Sequence, residues 1–123
     1  MTVPPKQLPL FVYGTLRQGE SNHDWHLGGR FLQVIPARLA EHVRRVGHHG
    51  YFVVLPEAGA QVEGELFFLD PAQYAETMQR CDRLEEIPPG ALAGAWYARR
   101  VVTVEAGTET HQAWVYLQAD SAG

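Results

Sequence analysis

One stretch of the chain, residues 70–84, repeats its apolar positions every three to four residues. The rest runs in short β-branched and aromatic segments broken by glycine, proline and histidine. That asymmetry constrains the fold more than any other feature. Asp70 can cap a helix, and Pro71 suits the first helical position, where no N–H is needed. Tyr74, Thr77, Met78, Cys81 and Leu84 then share one apolar stripe that must be buried against something else. A parallel α/β fold alternates strand and helix regularly, so a chain with one good helix set among strands reads instead as α+β, with a helix packed on a curved or closed sheet.

The strands can be placed coarsely. Leu10, Phe11, Val12 and Tyr13 form an apolar run stopped by Gly14, as expected of a strand buried on both faces. Residues 31–46, 51–55 and 61–69 are three further runs rich in β-branched and aromatic residues, and residues 96–105 and 111–117 read as a closing hairpin turning at Gly107. Ser21 or Asn22 could cap a short helix through Asp24, Trp25, His26 and Leu27, ended by Gly28 and Gly29. Residues 87–95, rich in proline, glycine and alanine, are read as a loop too short to link domains. A single domain, 1–123, is expected.

Composition excludes several function classes. Ten Lys plus Arg against fourteen Asp plus Glu leave a formal charge of −4, without a basic nucleic-acid footprint. One cysteine, Cys81, can build neither an internal disulfide nor a zinc ribbon, and it favours a reducing, cytoplasmic compartment. No apolar run approaches the ~20 residues that span a bilayer, so no membrane partner is expected.

Adding four to Cys81 extends the helix stripe to Glu85, whereas Glu86 stands about 100° further round and should face solvent. A carboxylate aimed at an apolar interior has its charged form disfavoured, which suits a group that takes and returns a proton near neutrality. Glu85 is therefore the candidate base. The alternative is that Glu85 lies past a frayed helix end and pairs with Arg83, Arg99 or Arg100 at the surface, and periodicity does not choose between them. Gly14, directly after a buried strand, would let successive backbone N–H groups point at an anion or carbonyl, though an ordinary strand-ending turn reads the same way. Cys81 on the apolar stripe reads as a buried hydrophobe, and Trp25, Trp96 and Trp114 as core or pocket walls. His23, His26 and Asp24 could share a face, and His48 and His49 sit in a turn, but no metal motif joins them and no metal is expected.

Val12-Tyr13-Gly14-Thr15-Leu16-Arg17 resembles the signature loop of the γ-glutamylcyclotransferase-like family. In family order follow Val62-Glu63-Gly64-Glu65-Leu66-Phe67, Cys81-Asp82-Arg83-Leu84-Glu85, a Tyr-x-Arg strand from Tyr97 and Arg99, and Ala113-Trp114-Val115-Tyr116. The series spans nearly the whole chain. Glu86 departs from it, standing where glycine usually follows the glutamate, as do Thr15 in place of serine and Cys81 in place of an aliphatic residue.

The resemblance implies a small mixed β-barrel with attached helices. In its pocket a γ-glutamyl amine or dipeptide is cyclised to 5-oxoproline with release of the free amine. It places the catalytic role on Glu85 and substrate binding on Tyr13, Gly14, Thr15 and Leu16, with Tyr97 and Tyr116 lining the pocket. No cofactor is implied, the only partner is a small γ-glutamyl substrate, and the protein is expected as a monomer or homodimer. Two other readings are a binding module that returns its ligand unchanged, and a chelator-sensitive hydrolase built on His23, His26 and Asp24.

Overall fold

The structure, a computed structural model, describes residues 7–14, 16–21, 23–46 and 52–119. Five strands, β1 (Leu10–Val12), β2 (Phe31–Val46), β3 (Phe52–Leu69), β4 (Tyr97–Ala106) and β5 (Glu109–Gln118), accompany two helices, α1 (His23–His26) and α2 (Tyr74–Leu84). The strands close on themselves in the order β1-β3-β2-β4-β5. All neighbours are antiparallel except β1 and β5, which meet in parallel at Leu10 and Trp114. The sheet is therefore mixed, as expected. Among the described residues no helix is long and apolar enough to cross a membrane.

β2 and β3 form one long ribbon where the sequence suggested shorter runs. The Pro56 to Gly59 segment, read as a break, stays in β3 because the ladder accommodates it through an irregularity opposite Glu41. Glu41 adopts φ 60 and its carboxylate accepts the Gly59 N–H at 2.9 Å, replacing a ladder bond by a side chain. Gly107 begins the β4–β5 turn at φ 62, the sign that twist-matched hairpin turns require.

Asp70 caps as expected, its Oδ1 accepting the Ala72 N–H at 3.0 Å, although the first turn after it, Pro71–Gln73, is 3-10 and the α-helix begins at Tyr74. α1 is a single turn, shorter than expected, and Gly29 leaves it at φ 71. The Asn22 alternative for its cap and the His48, His49 pair lie outside the described residues.

Two apolar layers form. Phe11, Tyr13, Ala37, Leu39, Val62, Leu66, Val104 and Val115 fill the inside of the sheet. Leu10, Val12, Phe67 and Tyr116 form a second layer with Leu27, Met78 and Cys81 from the helical segments. The alternation of β1 between the two layers is why that strand is apolar on both faces. Gly64 serves the same packing, because a Cβ there would stand 2.3 Å from the Val12 carbonyl oxygen. Trp25 does not join the core. It is 69% exposed, its ring covered by the Arg80 guanidinium at 4.4 Å rather than by apolar neighbours. Trp96 is also exposed, so of the three tryptophans only Trp114, under Arg99 at 4.4 Å, is packed against the core.

Candidate active site

α2 ends at one rim of the sheet with its last carbonyls satisfied by the chain that follows. The Glu86 N–H donates to the Arg83 carbonyl at 3.1 Å and the Ile87 N–H to the Asp82 carbonyl at 2.9 Å, with Ile87 buried beneath the turn. This closure places Glu86 at φ 58, a left-handed conformation that glycine adopts freely and a β-carbon disfavours. The chain carries glutamate there all the same. Glu85 is the cap residue itself, its N–H donating to the Cys81 carbonyl at 3.1 Å, so its side chain leaves the helix from a position that the turn holds firmly.

The Glu85 carboxyl is partly buried, and its pKa is pushed up to about 7, first by burial and then by the negative charges of Asp82 and Glu86. Its charge in turn raises the pKa of Tyr13, after burial the largest influence on that phenol, and Tyr97 acts on Tyr13 in the same sense. Glu85 and Tyr97 thus both act on the Tyr13 phenol, which brings three of the residues that the resemblance singles out into one electrostatic neighbourhood. The surface ion pair posed as an alternative does not form with Arg99, which is taken by Asp82: Nη2 donates to Oδ2 at 3.1 Å, and Nε lies 2.9 Å from Oδ1. Glu86 is exposed, as expected, although it lies beyond the helix and owes its direction to the left-handed turn.

Tyr13, which feels the Glu85 charge, and Tyr116, beside Asp82, are both buried, but their hydroxyl protons already have acceptors. Tyr13 donates to the Tyr116 carbonyl, and Tyr116 donates to Asp82 Oδ1 at 2.6 Å. Their phenols therefore brace the site and have only lone pairs to offer a ligand. Cys81 is buried with its thiol pKa far above the ordinary value through burial, which leaves it inert.

Around the signature loop, protein donors hold the carbonyls. Arg44 Nη1 donates to the Tyr13 carbonyl at 2.9 Å, Arg17 donates to that of Gly14 from its N–H at 3.1 Å, and His23 Nδ1 donates to that of Leu16 at 3.1 Å. Thr15 lies outside the described residues. His23 packs edge-on to Phe31 and tilted against Phe67, as a core histidine that anchors the loop. Among the described residues no three His, Cys, Asp or Glu gather as a metal site. The sequence reading missed Asp82, Arg44 and the anchoring work of His23. Asp82 had one signal, its place in the last turn of α2 just before Glu85, whereas the contact between Arg44 and Tyr13 joins segments distant in sequence and carried none.

A model of the family described as "Gamma-glutamyl cyclotransferase, AIG2-like" matches residues 10–123. Human gamma-glutamylaminecyclotransferase is 33% identical over 108 residues, covering 67% of this chain and 67% of that protein. The gamma-L-glutamyl-butirosin B gamma-glutamyl cyclotransferase of Niallia circulans is 35% identical over 109 residues, covering 88% of this chain and 65% of that one. Among solved structures, an AIG2-like protein from Mus musculus superposes with a TM-score of 0.67 at 25% identity, covering 94% of this chain and 79% of that one. A protein from Arabidopsis thaliana, solved in solution, gives a TM-score of 0.68 at 21% identity, covering 96% of this chain and 73% of that one.

Proposed function

Since the chain belongs to the gamma-glutamyl cyclotransferase, AIG2-like family, we propose that it releases the amine from a γ-glutamyl amine or γ-glutamyl dipeptide and leaves the glutamyl part as 5-oxoproline. The observation that carries the reading is a single carboxyl, Glu85, fixed at a helix end by the turn that follows and partly buried near the Tyr13 phenol, with its pKa pushed up to about 7. The named relatives that act on a γ-glutamylamine and on γ-glutamyl-butirosin support a small amine conjugate as substrate.

The reaction suits one proton-transfer group. The substrate's α-amine and its γ-carbonyl belong to the same molecule, so a folded pose supplies an effective concentration of up to ~10⁵ M or more. The α-amine is protonated at neutral pH, and Glu85 takes that proton. The freed nitrogen then attacks the γ-carbonyl, a new C–N bond closes the five-membered ring, and the old amide C–N bond breaks. The proton held by Glu85 goes to the departing nitrogen, and the restored carboxylate takes the second proton from the ring nitrogen and passes it to the released amine, which leaves as an ammonium ion. The loop from Tyr13 to Leu16, its carbonyls engaged by Arg44, Arg17 and His23, is the element we assign to the substrate's glutamyl end. Its backbone N–H groups are the donors for the carboxylate or the developing oxyanion.

The test incubates the protein, with chelator present, with a panel of γ-glutamyl amines and dipeptides and follows 5-oxoproline by mass spectrometry. Wild type and Glu86→Gln should form product. Glu85→Gln should keep its circular dichroism spectrum while losing about 10²-fold or more in rate. Activity retained by Glu85→Gln and lost in Glu86→Gln overturns the assignment. A folded wild type that binds panel members and returns them unchanged points to a binding module instead.

A further inference from the structure

We propose that Asp82 is a positioning residue for Glu85: clamped between β4 and β5, it docks the last turn of α2 on the sheet and so fixes where the Glu85 carboxyl stands. This deepens the cyclotransferase reading and rests on it. Asp82 Oδ2 accepts from Arg99 Nη2 at 3.1 Å, and Oδ1 accepts from the Tyr116 hydroxyl at 2.6 Å. Arg99 and Tyr116 are directly opposed residues of the β4–β5 ladder, so one carboxylate grips both strands at once. The Arg99 and Asp82 side chains are only 14% and 15% exposed, and the guanidinium also covers the Trp114 ring. In so little solvent the pair holds its geometry, and loss of either partner strands a charge.

The main chain of Asp82 completes the grip. Its carbonyl accepts the Ile87 N–H at 2.9 Å, so Glu85 lies inside a turn tied down by Asp82 at both side chain and backbone. The Tyr116 carbonyl accepts the Tyr13 hydroxyl, which links the clamp to β1 and the signature loop. The charged and titratable groups around Glu85 are Asp82 and Glu86 on its own helix end and Tyr13 just after β1, with Tyr97 at the start of β4 and Arg44 from β2 acting on that same phenol. Around Asp82 stand Arg99, Tyr116, Cys81 and Glu85. The Asp82 charge disfavours ionisation of Glu85, so a clamp that positions Glu85 also tunes it.

The test titrates the Glu85 carboxyl by carbon-13 NMR in wild type and Asp82→Asn, identifying the signal by its loss in Glu85→Gln. Where a substrate turns over, kcat and KM are measured beside it. Asparagine keeps the shape and an acceptor for Tyr116 but removes the charge. The expected result is a Glu85 midpoint lowered by about one unit, as removal of a neighbouring like charge dictates. The kcat should fall about tenfold or more with little change in KM. A folded Asp82→Asn with the midpoint and kcat of wild type overturns the proposal. If that variant does not fold, Tyr116→Phe carries the test, because it leaves Asp82 charged with one donor fewer. The Glu85 midpoint should then rise, and a midpoint that stays or falls overturns the proposal. The titration needs no substrate, so a protein that shows both shifts yet turns nothing over sinks the cyclotransferase reading and leaves the clamp standing.

Discussion

At Glu85 burial and two neighbouring carboxylates act in the same direction, and the sign of that effect can be followed into both rate and stability. The carboxyl's pKa rises from 4.5 to about 7 on folding. Between those values the folded state holds a proton that the unfolded state has lost, so the group's contribution to stability is fully present below 4.5 and is lost as pH rises to about 7. Glu85→Gln, neutral at every pH, lacks that loss. Its melting temperature should exceed that of wild type by a margin that grows as pH rises through this window and levels off above it. A margin independent of pH would show that Glu85 is not protonated on folding. In the proposed reaction the dependence runs the other way: the carboxylate is the form that accepts the proton, so wild-type kcat/KM should decline as pH falls below about 7. A carboxyl in the proposed role inside an apolar rim must weaken the fold at the pH where it serves the reaction.

The end of α2 shows how one element transmits backbone geometry to that carboxyl. Glu86 holds a left-handed conformation at φ 58, which costs a residue bearing a β-carbon about 1–2 kcal/mol relative to glycine. Part of this is offset by the greater freedom of glycine in the unfolded chain. Glu86→Gly should therefore stabilise the protein by about 1 kcal/mol in a denaturant titration. It should also lower the Glu85 midpoint by removing a like charge. Gly94 reports on the same turn from the other side, because a Cβ there would stand 2.3 Å from the Glu86 carbonyl oxygen. Gly94→Ala must move the segment after α2, and with it Glu85, so a lowered kcat should accompany its loss of stability. If Gly94→Ala loses stability with kcat unchanged, the turn tolerates displacement without moving the carboxyl. The segment before β4 is well fastened. Its Leu92 carbonyl accepts the Arg99 N–H at 2.8 Å, and Ala93 bridges to Ala98.

For the molecule as a whole, the narrow joints of the sheet decide where the site can be. β1 is three residues long, yet it pairs with β3 along one edge and with β5 along the other, and it delivers Tyr13 to the rim where α2 ends. Its approach to β3 depends on Gly64, whose absent Cβ leaves room for the Val12 carbonyl. Gly64→Ala should cost more than about 2 kcal/mol in a denaturant titration, because the clash is with backbone and a rigid ring, Phe11, that cannot step aside. Activity should drop with it even at low temperature where the variant is still folded, since the strand that shifts is the one carrying the signature loop. An alanine variant as stable and active as wild type would mean that the two strands can part at this point without disturbing the rim.

How much of this was legible in advance follows from the range of the interactions. The cap at Asp70, the stripe of α2 and the apolar character of β1 are local, set by spacing within one element, and the sequence by itself determined them, whereas for Glu85 it left two orientations open. The run of β3 through Pro56, the exposure of Trp25 under Arg80 and the left-handed Glu86 depend on partners or geometry that periodicity does not encode. The clamp of Asp82 on Arg99 and Tyr116, and the hold of Arg44 and His23 on the signature loop, were decided only by tertiary structure. They join residues brought side by side by strand pairing and helix docking, and a single chain records which residues it has without recording which of them will meet.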